Sequence, residues 1–439
     1  MRLILIRHGQ AEKTAYDHND AHRLLTAKGR ERLETVYPSL ARYLNAKTHF
    51  EVWTSPKVRA LQTAEVLCRY TPNVAPEIKD FLAEGDLEAF YDAIRDHDHG
   101  ETLVVIGNEP YLSEWVRTMT GLDVRFKKGR GEMLYLSPKA PQDAIRIHDI
   151  DFDQMANLSL FSMPLDISVG RIINKQHAQI IEARNQFLLD PDDTDALSAL
   201  RVALRCQYAM LEFIQPYCKK SSFEKAEALY LSLYEDLEAL RGINAILKII
   251  HNSRKMELVA LADALMIEHN SAVMELCEAL SQPESEFAYN EALHLTVAAL
   301  MTTVLRTPLD QLAREQFAHR YQVAQQALLT TDLSNQEETE NLRTLCKTSR
   351  YLFEYFNPLA NYQQAKQYLR IRRLNQRLST YCDAYDLPQQ LAAILGEDQS
   401  PAVERAVKRF NQIMADTRVR QLEQINQIIK DVQTDHQGA

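Results

Sequence analysis

The fold is decided by residues 1–10, which read MRLILIRHGQ. An almost wholly apolar run of six residues ends abruptly in Arg7-His8-Gly9. A run this short, bounded by a glycine, predicts a strand that is buried on both faces, as in a parallel sheet. Reactive groups in such sheets collect at the carboxyl ends of the strands, so we expect Arg7 and His8 to lie at a functional site.

Length and composition indicate a folded protein of several domains. A chain of 439 residues is longer than one that folds around a single hydrophobic core. Its composition, with 46% hydrophobic and 25% charged residues, is typical of globular proteins. The apolar runs are shorter than a membrane span, and the N-terminus lacks a signal-peptide pattern, so we expect no membrane partner. Six cysteines without metal-like spacing predict reduced thiols, a cytoplasmic protein and no metal site.

The formal charge of −10 is unevenly distributed along the chain. Residues 1–150 carry 21 Lys and Arg against 22 Asp and Glu, a balance of −1, so nine of the ten excess negative charges fall later. The later part is therefore not a generic polyanion binder, and we expect no nucleic-acid partner. An anion site there would have to be a local basic cluster.

Strands alternate with helical stretches through the first 150 residues. Beyond the first strand, three apolar runs predict further strands at 50–54, 102–106 and 131–136. Strands separated by helices of this length predict a mostly parallel α/β sheet with flanking helices. The strand ends would bring Arg7, His8, Arg59 and Asn108 to one edge of that sheet.

Four short motifs occur in order along this segment: RHG at 7–9, LTAKG at 25–29, SPKVRA at 55–60 and IGNEP at 106–110. With this combination of motifs the segment resembles the histidine phosphatase (phosphoglycerate-mutase-like) superfamily. Its small size is most similar to that of the phosphohistidine phosphatase subgroup. The resemblance implies a phosphorylated small molecule or a phosphohistidine protein as the partner, and no cofactor.

The resemblance also implies a role for each residue of the motifs. A neutral His8 would attack phosphorus and carry the phosphoryl group. Arg7 and Arg59 would bind its oxygens, since guanidinium forks suit phosphate. The superfamily's second histidine is Asn108 here, and loss of such a donor typically costs on the order of 10²–10³ in rate. Glu84 is the candidate general acid by motif order, although a solvated side chain is the simpler interpretation.

Beyond Pro164 the pattern becomes helical, with scarce glycine and apolar residues spaced three and four apart. We therefore predict an α/β domain at 1–160 and an all-α domain at 165–435. The second domain contains an internal repeat, because the segment 200–216 returns at a constant shift as 342–358. Two related helical halves that face each other are the simplest architecture.

The repeated helices carry basic residues at matching positions. Arg343, Lys347 and Arg350 share one helix face, and Arg201 with Arg205 forms the matching pair of the first half. If the halves pack around a pseudo-two-fold axis, both faces would line one groove. The alternative is a pair of solvated amphipathic helices.

The spacing of these basic residues resembles the CHAD family (conserved histidine α-helical domain). That resemblance implies two four-helix halves around a basic channel, with inorganic polyphosphate as a further candidate partner. Two histidines of the family pattern are Ser198 and Glu340 here. With Glu340 beside the basic row, polyphosphate binding stays an open hypothesis.

Three functions remain open on the sequence alone. The first is a phosphatase that hydrolyses a phosphoester, phosphoramidate or phosphoanhydride through phospho-His8. The second is a catalytically impaired scaffold that binds phosphate or polyphosphate, since Asn108 leaves open whether the chain is an enzyme. The third is a protein-interaction module built on the helical domain.

Overall fold

The computed structural model describes residues 1–45, 49–97, 101–300, 306–396 and 399–437. It divides into two compact units. The first contains Met1–Pro164, Thr307–Phe317 and Phe356–Gln367, and the remainder forms the second. The first unit thus includes two short segments that lie far along the chain, while the predicted boundary at 160–165 stays a prediction.

The first unit is built on a six-stranded sheet in the order β3-β2-β4-β1-β5-β6. Its strands are β1 Arg2–Arg7, β2 Phe50–Thr54, β3 Pro76–Ile78, β4 Thr102–Gly107, β5 Gly131–Ser137 and β6 Ala140–Ile150. The first four run parallel, and β5 and β6 are antiparallel additions at one edge. The α/β fold predicted from the alternating pattern is therefore confirmed.

Helices cover this sheet, as crossover connections between parallel strands require. They are α1 Ala27–Asn45, α2 Val58–Cys68, α3 Phe81–Glu84, α4 Leu87–Ile94, α5 Tyr111–Thr120 and α6 Phe152–Asn157. One apolar core on a face of the sheet joins Leu3, Leu5 and Val105 to Phe90 and Trp115 of the helices. The central strands β1 and β4 are buried almost throughout, which is why they read as continuous apolar runs.

Gly29 fixes the approach of α1 to the loop that follows β1. A Cβ atom at this position would lie 2.2 Å from the carbonyl oxygen of Gln10, which is a hard clash with backbone. The same oxygen accepts a hydrogen bond from the backbone N–H of Thr26 at 2.9 Å. The LTAKG motif therefore anchors the loop between β1 and α1 close to the end of the strand.

The second unit is built from helices. The helices that contribute to it are α7 Leu165–Leu189, α8 Thr194–Ile214, α9 Lys220–Glu235, α10 Glu238–Ser253, α11 Val259–Ser281, α12 Pro283–Ala299, α13 Leu309–Thr330, α14 Gln336–Phe356, α15 Tyr362–Leu395 and α16 Pro401–Gln437. The repeat predicted from the sequence corresponds to α8 and α14. Each of the two helices has 21 residues and runs into a short 3-10 helix that contains a proline.

The described helices include none with the length and apolarity needed to cross a lipid bilayer. All six cysteines are free thiols. The cytoplasmic location expected from the cysteine pattern stays a prediction.

Candidate functional site

Three strand ends of the first unit converge on His8. His8 directly follows β1, Asn108 directly follows β4, and Arg59 lies in the first turn of α2, just after β2. The backbone N–H of His8 donates to the carbonyl oxygen of Gly107 at 3.1 Å, which ties the first two ends together. All three side chains are almost fully buried, with exposed fractions of 4%, 2% and 3% in the order His8, Asn108, Arg59.

Two hydrogen bonds assign the tautomer of the His8 imidazole. Its Nδ1 lies 2.8 Å from the carbonyl oxygen of Gly9, which can only accept, so the proton is on Nδ1. The Nε–H of Arg59 donates to Nε2 of His8 at 3.1 Å, which requires a lone pair on Nε2. The ring is thus neutral, and its nucleophilic nitrogen points toward the guanidinium that follows β2.

The surroundings of His8 keep the ring neutral over the physiological range. Burial is the largest effect and lowers the pKa of His8 to about 3, with further contributions from the positive charges of Arg59, Arg7 and Arg23. The hydrogen bond to Gly9 opposes this shift but is outweighed. A neutral imidazole beside guanidinium groups has the protonation state that nucleophilic attack on phosphorus requires.

Arg59 is held by Asp20 as well as by His8. Nη2 of Arg59 lies 3.0 Å from Oδ2 of Asp20, and Nη1 donates to the Asp20 carbonyl oxygen at 2.6 Å. The second carboxylate oxygen, Oδ1, lies 2.8 Å from Nη2 of Arg23. Partial burial raises the pKa of Asp20, but the two guanidinium groups outweigh this effect and hold the pKa below its usual value. The Asp20 carboxylate therefore bridges two arginines beside the nucleophile.

Arg7 is positioned by the loop before β5. Its Nη1 donates to the carbonyl oxygen of Phe126 at 2.8 Å. Oε1 of Glu109 accepts from the backbone N–H of Phe126 at 3.0 Å, and from the Ser113 hydroxyl at 2.8 Å, which fixes this loop. A further bond runs from the Gly9 N–H to the Thr63 hydroxyl at 3.0 Å, so α2 also supports the loop after β1.

The Asn108 side chain has unused hydrogen-bonding capacity. Both its Nδ2 and its Oδ1 are buried and make no hydrogen bond within the part of the chain that the structure describes. A buried amide without partners costs free energy, which a bound polar group would recover. Asn108 therefore presents a donor and an acceptor at the strand end next to His8.

Glu84 is the one residue predicted for this site that has an exposed side chain. It is the last residue of α3, its side chain is exposed, and no hydrogen bond or ion pair among the described residues joins it to His8, Arg59 or Asn108. Its assignment as general acid stays a prediction without support from these contacts. Sequence reasoning missed Asp20 and Arg23, which do contact the site.

In the second unit, the predicted basic residues of both halves approach one another, but carboxylates accompany several of them. Nη2 of Arg201 lies 2.6 Å from Oε1 of Glu238, and Nη1 of Arg343 lies 2.9 Å from Oε1 of Glu340. Arg350 pairs within its helix with Glu354 at 3.5 Å. The solvated-helix alternative fails for Arg201 and Arg343, whose side chains are only 17% and 11% exposed.

Lys347 lies among arginines from three helices. Burial is the first cause that lowers its pKa, to about 6, and the positive charges of four neighbouring arginines add to this effect: Arg205, Arg343, Arg201 and Arg241. Arg205 stacks over the Tyr234 ring, with its guanidinium carbon 4.1 Å from the ring centroid. The two basic faces predicted from the repeat therefore meet at Lys347.

Among the described residues, no group of three His, Cys, Asp or Glu side chains is arranged to hold a metal ion.

A buried neutral histidine among arginines at the end of a mostly parallel sheet defines a histidine phosphatase-like domain, which is followed by an all-helical domain. Comparison with known proteins agrees with this division. Residues 3–127 match the histidine phosphatase superfamily (branch 1), and residues 171–392 match the CHAD domain. The chain belongs to the CHAD domain family and carries a histidine phosphatase-like domain before it.

Solved structures resemble each part of the chain separately. The CHAD domain from the plant Ricinus communis is 16% identical, covers 62% of this chain and 93% of its own, and has a TM-score of 0.52, which supports the helical fold. The protein histidine phosphatase SixA complexed with tungstate is 20% identical and covers 35% of this chain and 99% of its own, with a TM-score of 0.31. A putative SixA from Agrobacterium tumefaciens is 18% identical, covers 34% and 97%, and has a TM-score of 0.29. No curated protein matches the chain.

Proposed function

We propose that the first unit is a phosphatase that works through a phosphohistidine intermediate on His8. Nε2 of His8 attacks phosphorus, and the bond from phosphorus to the leaving group breaks with its electron pair on that group. Water then attacks phosphorus, phosphate leaves, and the imidazole regains its lone pair. The observation that carries this proposal is the assigned tautomer, since it leaves Nε2, the nitrogen that accepts from Arg59, unprotonated.

The surrounding groups match the charge that phosphoryl transfer develops. The transferred group spreads negative charge over its equatorial oxygens, so fixed cations and donors do most of the work. Arg59, Arg7 and Arg23 supply the cations, and all three act on the electrostatics of His8. Asn108 supplies an unpaired amide donor in place of a cationic imidazole.

The state of the carboxylate beside the nucleophile bears on the substrate class. Arg59 and Arg23 lower the pKa of Asp20, so its carboxylate is not a proton donor to the leaving group. Substrates whose leaving group carries its own proton or needs none are therefore favoured. A phosphohistidine, which releases imidazole, and other phosphoramidates are of this kind. A simple alkyl phosphoester would need a proton donor. We accordingly propose a phosphohistidine protein or a small phosphoramidate as the substrate, in agreement with the name of the SixA structures.

Label transfer tests this proposal directly. The protein is incubated with ³²P-labelled phosphoramidate, quenched in alkali, where phosphohistidine survives, and digested. We expect label on the peptide that contains His8, loss of label in His8→Ala, and retained label in His251→Ala, which removes an exposed histidine at the end of α10. Folded wild-type protein that takes up no label would overturn the proposal and leave the scaffold hypothesis.

A second proposed function concerns the helical unit, for which CHAD membership suggests polyphosphate binding. The convergence of Arg205, Lys347 and their arginine neighbours favours an oxyanion site. The carboxylates of Glu238 and Glu340 weaken the field that a long polyanion would feel. Titration with long-chain polyphosphate at several salt concentrations tests this function, since phosphate contacts make affinity fall as salt rises. If no polyphosphate binds, a protein partner becomes the better explanation.

A further inference from the structure

The loop before β5 concentrates positive charge in a short stretch of the first unit. Residues 125–130 read RFKKGR, with four cations and no acidic residue. Residues 1–150 as a whole carry a balance of only −1, so this stretch stands out from a nearly neutral background. Such a local excess of one sign attracts molecules of the opposite sign. We call residues 125–130 the basic turn.

Backbone hydrogen bonds fasten the basic turn to the segment that carries the nucleophile. Nη1 of Arg7 donates to the carbonyl oxygen of Phe126 at 2.8 Å. Three residues further on, the backbone N–H of Gly129 lies 3.0 Å from the carbonyl oxygens of both Arg7 and His8. The two lysines between Phe126 and Gly129 are therefore held at the rim of the His8 site.

The basic turn has little conformational freedom. The backbone N–H of Arg130 donates to the carbonyl oxygen of Lys127 at 3.0 Å, which closes the turn, and Gly129 has a φ of +77°. A Cβ atom at position 129 would lie 2.8 Å from Cζ of Phe152 and 3.1 Å from Cδ2 of Leu33. A surface that is already ordered loses less conformational entropy when a partner binds.

Three of the four cations are free to meet a partner. Arg125, Lys127 and Lys128 are exposed, and none of them forms an ion pair with a carboxylate in the part of the chain that the structure describes. Arg130 differs from them, because it is only partly exposed and its guanidinium carbon lies 5.7 Å from the centroid of the Phe152 ring. The exposed charge of the basic turn therefore comes from the first three residues.

The acidic residues that flank the basic turn along the chain lie beside other cations. Oδ1 of Asp123 lies 3.9 Å from Nη1 of Arg117, and Oε2 of Glu132 lies 2.8 Å from Nε of Arg146. These pairs leave the exposed cations of the turn without a counter-charge from either side. A surface of this kind is complementary to acidic side chains on a partner.

We propose that the basic turn is a docking surface for an acidic face of the protein whose phosphoryl group reaches His8. This inference rests on the proposed phosphatase function and adds the charge of the partner and the residues that select it. The three exposed cations occupy four consecutive positions of one tight turn, which suits a compact acidic patch. A nucleic acid or polyphosphate chain instead gains affinity from cations that follow its length.

The docking surface discriminates between large and small phosphoryl donors. Charge attraction speeds the encounter with an acidic protein and weakens as salt screens it. A small phosphoramidate carries no acidic face and gains nothing from the turn. The basic turn thus favours an acidic phosphoprotein over a neutral one and over a small donor.

Phosphate release from two synthetic peptides tests the proposal on the full chain. Each peptide contains one phosphohistidine, flanked by glutamates in the first peptide and by glutamines in the second. We expect kcat/KM at low salt to be about tenfold higher for the glutamate peptide, and the ratio to approach one at about 0.5 M salt. Because both peptides are measured on one protein, a general loss of activity cancels from the ratio.

Charge-reversed variants locate the effect. Lys127→Glu combined with Lys128→Glu should abolish the preference for the glutamate peptide, whereas arginine at both positions should retain it. Lys139→Glu is the matched control, since Lys139 is an exposed lysine of the turn between β5 and β6. Because β5 runs antiparallel to β1, that turn lies at the end of the sheet opposite to His8. The control should keep the wild-type ratio.

Equal kcat/KM for the two peptides, or a preference that survives the double charge reversal, would overturn this inference while the phosphatase function stands. If folded wild-type protein releases phosphate from neither peptide nor from phosphoramidate, the phosphatase function fails, and fluorescence anisotropy of a labelled, unphosphorylated glutamate peptide then tests docking alone. We expect the double charge reversal to weaken that binding about tenfold, and an unchanged affinity would overturn docking as well. Tighter binding of a single-stranded oligonucleotide of the same charge would identify a nucleic-acid surface and overturn the assignment to a protein.

Discussion

Replacement of Asp20 by asparagine removes a negative charge from the place where a phosphoryl oxygen would bind. The carboxylate lies 3.0 Å from Nη2 of Arg59 and 2.8 Å from Nη2 of Arg23, and an incoming phosphate has to compete with it for both guanidinium groups. Asparagine retains the size and an acceptor oxygen but has no charge. We therefore expect Asp20→Asn to bind phosphate more tightly than the wild type.

The magnitude follows from the exposure of the two partners. Asp20 is 62% exposed, so each of its two ion pairs is screened by solvent, although the Arg59 side chain is only 4% exposed. Exposed ion pairs contribute about 0.2–1 kcal/mol each, and the burial of Arg59 places this pair at the upper end, for a total of about 1–2 kcal/mol. A tenfold change in affinity corresponds to about 1.4 kcal/mol, so orthophosphate should bind roughly 5- to 30-fold more tightly.

Calorimetry with orthophosphate at pH 7.5 measures this change. Every protein in the series carries Lys347→Met, so that the helical unit does not contribute. Asp17→Asn is the matched control, because Asp17 lies in the same loop and pairs with His22 rather than with the arginines. An Asp20→Asn affinity equal to that of the control, or weaker, would refute the conclusion that Asp20 competes for the phosphate position.

Three further predictions follow from the same contacts. Asn108→His should raise the rate of phosphoramidate hydrolysis by about 10²-fold, measured by phosphate release, because it restores the imidazole donor of the superfamily pattern; an unchanged rate with intact phosphate binding would count against Asn108 as the weak element. The rate of His8 labelling should stay within about twofold between pH 5 and 8, since the pKa of His8 is about 3; a midpoint near 6.5 would mean that burial does not depress it. Lys347→Met should stabilise the protein by about 1–4 kcal/mol at pH 7, measured by denaturant unfolding. Because the lowered pKa makes the unfolded state bind more protons between pH 6 and 10.5, wild-type stability should rise with pH across that range, and the variant should lose this slope.

Much of the first unit could be predicted from local patterns. Buried strands such as β1 and β4 are apolar throughout, and the strand–helix alternation restricts a sheet of this kind to few topologies. The placement of His8, Arg59 and Asn108 at one edge followed from that topology. The short strand β3 was missed, because three residues that begin with proline carry no periodic signal.

The contacts within each site depended on tertiary structure. Asp20 and Arg23 occur in a polar loop without periodicity, and only the folded chain brings them to Arg59. The signal that could have found them was their position between the RHG motif and the LTAKG turn. Glu84 has the expected place in motif order but an exposed side chain, because sequence order does not fix the direction of a side chain on a short helix.

The sequence alone carried the motifs that resemble the two families. It also determined the internal repeat and the residue types at each strand end or helix face, because these depend on short-range periodicity and spacing. Apart from the pair of Arg343 with Glu340, which lie three residues apart on one helix, tertiary structure decided which charges are compensated. Arg201 pairs with Glu238 of another helix, and Arg343 pairs with Glu340 of its own helix and with Asp383 of another. Arg205 and Lys347 have no ion-pair partner among the described residues. Coulomb interactions act through space over a few ångströms, so the charge of a site is set by neighbours that lie far apart along the chain.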